Sequence, residues 1–250
     1  MPLFAKISRI LTLLQHPRYV VSVFPTNALS VSSIDNICAL YSYYRTLGTI
    51  IDVGANVGQF TLAAAYRYPN VPIHSFEPVP EAFRSLERNT KRLRDVCLNP
   101  FAVGNKSGLV EFHSNDYSQV SSVLEIDRAN NQPNYSREAN RKISVPMVTL
   151  DEHFRGISLD APILLKMDVQ GFEREVLWGA KEFLRRVEAV VFEMPLVKLY
   201  ENQPMFDDLH SILKSTGFQI IAPVGMNRGL FNRVIEMDML YARKDPREAY

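Results

Sequence analysis

Residues 50–60 read I-I-D-V-G-A-N-V-G-Q-F. Ile50, Ile51 and Val53 make an apolar, β-branched run that carries one acid, Asp52. The chain then turns through Gly54 and Gly58 and leaves as a helix expected to begin near Val57. A strand, a glycine turn and a helix start in this order form a cradle for a nucleotide-like ligand. Glycine admits close backbone approach, and a helix N-terminus presents free N–H groups. A dinucleotide site would carry G-x-G-x-x-G, with the second glycine against a pyrophosphate. Here the spacing is G-x-x-x-G, and Asn56 stands at the second glycine's place, with the Asp52 carboxylate just before the turn. That chemistry suits a ligand with a positive or hydroxyl-bearing end and no phosphate. The next strand ends H-S-F-E-P-V-P, which puts Glu77 where a carboxylate can take both hydroxyls of a ribose. A dehydrogenase would use the same carboxylate, so Glu77 alone does not discriminate, and a solvated strand-end glutamate is the plain alternative.

These residues need a frame, and the chain supplies one by alternation. Strands are expected at 49–54, 72–77, 96–103, 162–168, 188–194, 218–223 and 235–242, and helices at 57–68, 80–93, 172–186 and 205–216. Such alternation predicts an α/β fold, a mostly parallel sheet with helices on both faces. L-L-K-M-D-V and A-V-V-F-E-M are nearly continuous apolar runs, as buried central strands require. Residues 1–48 read as an N-terminal helical extension. Leu3, Ile7, Ile10, Leu11 and Leu14 recur at helical spacing up to Pro17, as a helix packed on the core, a lid or a weak contact with an anionic surface. A second helix is expected over Ser33–Leu47, capped by Ser32 or Ser33 and stopped by Gly48. Residues 49–250 form the main domain, interrupted at about 104–160 by a β-rich insertion with a polar loop at its tip.

Lys+Arg 28 against Asp+Glu 27 leaves no field to recruit nucleic acid, and the basic–aromatic interleaving of such binders is missing from the sequence. No run of about 18 apolar residues predicts a transmembrane segment. Cys38 and Cys97 are expected to be free thiols, which with the weak, interrupted N-terminal apolar run predicts a cytoplasmic protein. Oligomeric state is open.

Five segments in order, I-D-V-G-A-N-V-G-Q-F, F-E-P-V-P-E-A-F, N-P-F-A-V-G-N-K-S-G, V-P-M-V-T-L-D-E-H-F and L-L-K-M-D-V-Q-G-F-E-R-E-V-L-W-G-A, resemble the FkbM-type methyltransferases over roughly residues 49 to 243. The resemblance implies a Rossmann-like, seven-stranded methyltransferase sheet whose last strand is antiparallel, with S-adenosylmethionine as cofactor. It implies that Gly54, Ala55, Asn56 and Gly58 line the methionine part, with Asp52 beneath the turn. Glu77 takes the ribose, with Pro78 following it, and Ala102 and Val103 lie beside the adenine. Ser121 and Ser122 fall in a segment the family places near the cleft, on the substrate side. The family commonly has D-x-E-G at the fourth strand, whereas this chain has Asp168, Val169, Gln170, Gly171. A charge at position 170 is therefore lost, and a hydrogen-bonding role survives.

Methyl transfer is an in-line displacement, so positioning supplies much of the rate. An alcohol must also lose its proton, and a placed base adds about 10²–10⁴-fold. Asp168 is the first candidate for contacting the cofactor's methionine end or the incoming hydroxyl and for acting as base. Glu193 occupies the matching place on the adjacent strand, and His153 could sit over the cleft as an alternative base. Two close carboxylates would raise at least one pKa. Lys166, mid-strand, should find a carboxylate partner, with Glu193 or a loop acid as the guess, and Glu173 favours its helix start. No cluster has metal-ligand spacing, so no metal is expected. The reading is O-methylation of a hydroxyl on a small molecule, a sugar or secondary metabolite. The alternatives are an NAD-type dehydrogenase and a catalytically inactive cofactor-binding module.

Overall fold

The five residues Thr49–Val53 (β1) are all buried, and everything else is arranged around them. The computed structural model describes residues 11–24, 26–114, 124, 141–228 and 233–244. After β1 the strands in chain order are β2 (Ile73–Phe76), β3 (Val96–Asn99), β4 (Ala102–Val103), β5 (Gly108–Ser114), β6 (Arg141–Val148), β7 (Ile163–Met167), β8 (Ala189–Pro195), β9 (Gln219–Arg228) and β10 (Val234–Ala242). Seven of them form one sheet in the order β3-β2-β1-β7-β8-β10-β9. Its pairs are parallel from β3 through β8, and β10 runs antiparallel to both neighbours. This is the Rossmann-like sheet expected, closing on an antiparallel last strand.

Period-2 alternation sorts the central strands onto two cores. Ile51, Val53, Leu165, Met167, Val190 and Phe192 face one, while Ile50, Leu164, Ala189, Val191 and Leu240 face the other. Helices α1 (Pro17–Val23), α2 (Val31–Tyr43) and α3 (Gln59–Arg67) cover the second core, with Tyr19, Val23, Ile34, Ile37 and Leu40 buried in it. The remaining helices are α4 (Pro80–Thr90), α5 (Leu150–His153), α6 (Glu173–Trp178) and α7 (Phe206–Ser215). The first core is capped by α5, α6 and α7 through Leu150, Val176, Leu177, Leu209 and Leu213.

The structure departs from the sequence reading where local chemistry intervenes. The expected strand 96–103 breaks at Pro100, which has no N–H to continue a ladder. Its second half becomes β4 of a separate three-stranded sheet, β4-β6-β5, formed by the insertion. The helix expected over 172–186 stops at Trp178, and a 3₁₀ turn follows at Phe183–Arg186. Gly179 lies so close to the Gly104 carbonyl that a Cβ there would stand 1.9 Å from it. Helix α2 starts earlier than expected, because the side chain of Ser30, not Ser32 or Ser33, accepts the Ser33 N–H at 3.1 Å. It ends at Tyr43, so Gly48 is not its stop; Gly48 instead packs under the Asp160 carbonyl. Residues 11–15 are helical and that helix ends before Pro17, as expected, with Pro17 opening α1; Leu11 and Leu14 are exposed and do not pack on a core. Leu3, Ile7, Ile10, Ser121, Ser122 and most of the polar loop lie outside the described residues. No helix among the described residues is long and apolar enough to cross a membrane.

The cap makes a direct test. Ser30→Ala should lower urea-measured stability by about 1 kcal/mol, whereas Ser32→Ala should cost under about 0.5 kcal/mol.

Candidate active site

Parallel register brings four strand ends level. Val53 pairs with Phe76 on one side and Met167 on the other, so Glu77, Gly54 and Asp168 follow side by side. Met167 pairs with Phe192, which puts Glu193 next in the row, and Asp238 of β10 pairs with Glu193. The edge therefore runs Glu77, Gly54, Asp168, Glu193, Asp238.

The glycine turn is held by the chain itself. Gly54, Asn56 and Gly58 all have positive φ, at 78°, 50° and 95°. The Gly54 and Ala55 N–H groups donate to the Phe76 carbonyl at 3.0 and 2.9 Å. A Cβ on Gly54 would lie 1.9 Å from the Asp168 carbonyl, so the neighbouring strand already demands glycine there. Gly58 caps α3, which starts at Gln59 and not near Val57, and a Cβ at Gly58 would press on Leu86. No side chain caps the first turn of α3 among the described residues, and the buried Asn56 Oδ1 has no partner among them. Free N–H groups and an orphaned acceptor at one turn could hold a zwitterion with a carboxylate and an ammonium.

Glu77 is buried at the end of β2, where Oε2 accepts the Asn56 N–H and Oε1 the Val79 N–H, both at 2.8 Å. Burial pushes its carboxyl up to about 7, against the pull of those two N–H groups. Each oxygen keeps capacity for a second hydrogen bond, enough for a vicinal diol. Pro78 is partly exposed beside it, and Ala102 packs with Val79 and Ala82, while Val103 belongs to the first core.

Beneath the turn, Asp52 is fully buried. Its Oδ2 accepts the Thr61 hydroxyl at 2.7 Å, and its Oδ1 pairs with the Lys166 ammonium at 3.1 Å. Lys166 also donates to the Gly54 carbonyl at 3.3 Å and stands 3.7 Å from Asp168 Oδ2. Its partners are thus Asp52 and Asp168; the expected pairing with Glu193 is not what forms. Burial pulls the Lys166 pKa down, but Asp52, Asp168 and Asp238 outweigh it and leave it above its ordinary value.

Asp168 and Glu193 do come together, linked by Gln170, whose Nε2 donates to Asp168 Oδ1 at 2.8 Å and Glu193 Oε2 at 3.2 Å. The Tyr200 hydroxyl donates to Gln170 Oε1 at 2.7 Å. Asn227 bridges Glu193 and Glu236 at 3.0 and 2.9 Å, and Asn36 donates to Asp238 at 2.8 Å. Burial, then Asp168, Glu236, Asp238 and Glu173, raises the Glu193 carboxyl well above its usual range. Burial likewise raises Glu236 and Asp238. Glu173 stands in the first turn of α6, where its Oε1 accepts the Val169 and Gly171 N–H groups at 3.3 and 3.2 Å; burial pushes it to about 7.

The sequence reading missed Asn36, Tyr200, Asn227, Glu236 and Asp238. One signal was available: V-I-E-M-D-M-L-Y places two acids with period 2 inside an apolar strand. His153 is placed elsewhere. It ends α5 with its ring edge-on to Phe76 and Phe154, 4.9 and 4.8 Å between centroids, and burial lowers its pKa. Among the described residues no group of His, Cys, Asp and Glu is arranged to hold a metal.

Residues 52–220 match the family model described as the methyltransferase FkbM domain. The 2-O-methyltransferase NoeI of Sinorhizobium fredii is 27% identical over 197 residues, covering 76% of this chain and 77% of that protein. The 31-O-demethyl-FK506 methyltransferase FkbM of Streptomyces tacrolimicus is 27% identical over 199 residues, covering 69% and 73%. The hexuronic acid methyltransferase AglP of Haloferax volcanii is 25% identical over 144 residues, covering 57% and 54%.

Two stability outcomes follow from the geometry. Lys166→Met leaves the Asp52 charge buried and unpaired and should cost about 3–5 kcal/mol in urea unfolding. Adding Asp52→Asn should recover most of that loss. The second concerns pH. Glu173 has an ordinary pKa of 4.5 and one of about 7 when folded, so the native state holds the extra proton between those values. Its contribution is present below pH 4.5 and is lost as pH rises to about 7. The urea midpoint should fall across that window, and Glu173→Gln should flatten the decline.

Proposed function

The chain belongs to the FkbM methyltransferase family and uses S-adenosylmethionine as its methyl donor, and from that premise we propose that it methylates a hydroxyl oxygen of a small molecule. The observation that carries this reading is the single row of strand ends in which Glu77, the glycine turn, Asp168 and Glu193 stand side by side. Bound at the turn, the cofactor supplies an electrophilic methyl group. Glu77 would accept the ribose hydroxyls, and Pro78, Ala102 and Val103 would lie toward the adenine. Asn56 Oδ1 would take the ammonium and the first turn of α3 the carboxylate, while Asp52 would act from beneath through Lys166.

Asp168 Oδ2 faces Lys166, whose positive charge favours a carboxylate able to receive the acceptor's proton. Asp168 is 43% exposed at its side chain, open enough for an acceptor to reach, whereas Lys166 and Asp52 are shut away. Glu193 orients the acceptor's hydroxyl from the adjacent strand. A row of carboxyl and amide groups suits a substrate rich in hydroxyls, a sugar or a decorated secondary metabolite. The relatives' names point the same way, since all three denote methyl transfer to an oxygen or a sugar acid. The near-zero net charge argues against nucleic acid as acceptor, and the free thiols Cys38 and Cys97 favour a reducing, cytoplasmic setting. Asn56 at the second glycine's place weighs against NAD, and an inactive module would have no use for so ordered a set of carboxyls.

The test is transfer of isotope-labelled methyl from S-adenosylmethionine to a panel of sugars, polyols and phenols. Label should appear as an ether, and Asp168→Asn should slow transfer by about 10²–10⁴-fold. Label found on amines or carboxyls and on none of the hydroxyl acceptors would overturn the proposal.

A further inference from the structure

Gln170 lies where two strand-edge carboxylates, Asp168 and Glu193, would otherwise face each other. Its backbone is left-handed, φ +53°, and Gly171 follows at +94°. A non-glycine residue in that region is held there by its surroundings. Here the holding is visible: Glu173 accepts both the Val169 and Gly171 N–H groups, closing the loop around Gln170. The loop so folded sends the Gln170 amide back over the strand ends. One amide nitrogen has two hydrogens, and one goes to Asp168 and the other to Glu193. Tyr200, itself buried, donates to the amide oxygen and so fixes which end of the amide faces the carboxylates.

We propose that Gln170, oriented by Tyr200, is a positioning residue that sets the separation and charge of the Asp168–Glu193 pair. The inference rests on the reading of that pair as the acceptor site. A glutamate at 170 would put a third acid between two others. Glutamine puts there a neutral double donor, whose N–H groups favour the ionised forms of both neighbours. Lys166 and Asp52 act on the pair from beneath, Glu173 from α6, and Glu236 and Asp238 from β10. Of these, only the Lys166 ammonium offsets negative charge, so a loss of the amide donors is not easily replaced.

The experiment reads the carboxyls directly. Side-chain carboxyl carbons of Asp and Glu are labelled with ¹³C and titrated by NMR in cofactor-free wild type, Gln170→Met, Gln170→Glu and Tyr200→Phe. Gln170→Met keeps the side-chain length and deletes the donors, and it should move the Glu193 midpoint up by about one unit. Gln170→Glu should move it further, and Tyr200→Phe less, in the same direction. Tyr200→Phe leaves the 169–171 loop intact, so it decides the matter if a Gln170 variant fails to fold. A Glu193 midpoint unchanged in folded Gln170→Met, or in Tyr200→Phe where that variant must decide, would overturn the proposal. The titration needs neither cofactor nor acceptor, so it is separable from the reading of function. If the midpoint moves while the acid limb of the methyl-transfer rate stays put, the positioning role stands and Asp168 is not the base.

Discussion

A single ammonium group, Nζ of Lys166, ties the two central strands together under the glycine turn. Taking a lysine and an aspartate out of water costs several kcal/mol per ion, and the attraction repays that only with close geometry and further hydrogen bonds. Both conditions hold. Asp52 Oδ1 is 3.1 Å away, its other oxygen accepts from Thr61, and Thr61 is in turn linked to Ser75 on the next strand. The same ammonium reaches the Gly54 carbonyl and the Asp168 carboxylate, so one buried charge fixes the base of the cradle and the reactive edge together. The fold below exists to make this pair affordable: β1 and β7 are buried along their whole lengths between two apolar cores.

Above that pair the site faces the opposite electrostatic problem, an excess of acid. Asp168, Glu193, Glu236 and Asp238 stand on three neighbouring strands, with the Lys166 ammonium beside Asp168. The chain answers with amides. Gln170, Asn227 and Asn36 each donate to carboxyls of this set, which supplies hydrogen bonds without adding charge. Asn36 comes from α2, in the N-terminal extension and outside the stretch that matches the family model. Gly225 leaves the room for it, since a Cβ there would meet both Asn36 and Asp238. The extension therefore reaches the acidic row directly, through Asn36.

Much of this was legible in the sequence. All seven strands of the main sheet follow from apolar runs bounded by glycine, proline and acids, because period and turn chemistry are local. The glycine turn, Glu77 and the pairing of Asp168 with Glu193 were legible too, since register in a parallel sheet carries the end of one strand beside the end of the next. What escaped depended on contacts distant in the chain. Lys166 chose Asp52, 114 residues away and on the adjacent strand, because side chains of equal register on one face meet there. Asn36 and Asp238 are separated by 202 residues, and nothing in either segment announces the other. The cap of α2 was missed by a few positions among three serines, where only geometry distinguishes Ser30. The glycines were read as making room for a ligand, whereas at Gly54 the Asp168 carbonyl is already the closest constraint.

The most direct measurement is calorimetric titration of S-adenosylmethionine, S-adenosylhomocysteine and NAD into wild-type protein and Glu77→Ala. The account predicts micromolar binding of the two adenosyl ligands, no binding of NAD, and a loss of about ten-fold or more in affinity on removing the Glu77 carboxylate. Binding of NAD alone, or adenosyl binding indifferent to Glu77, would contradict it.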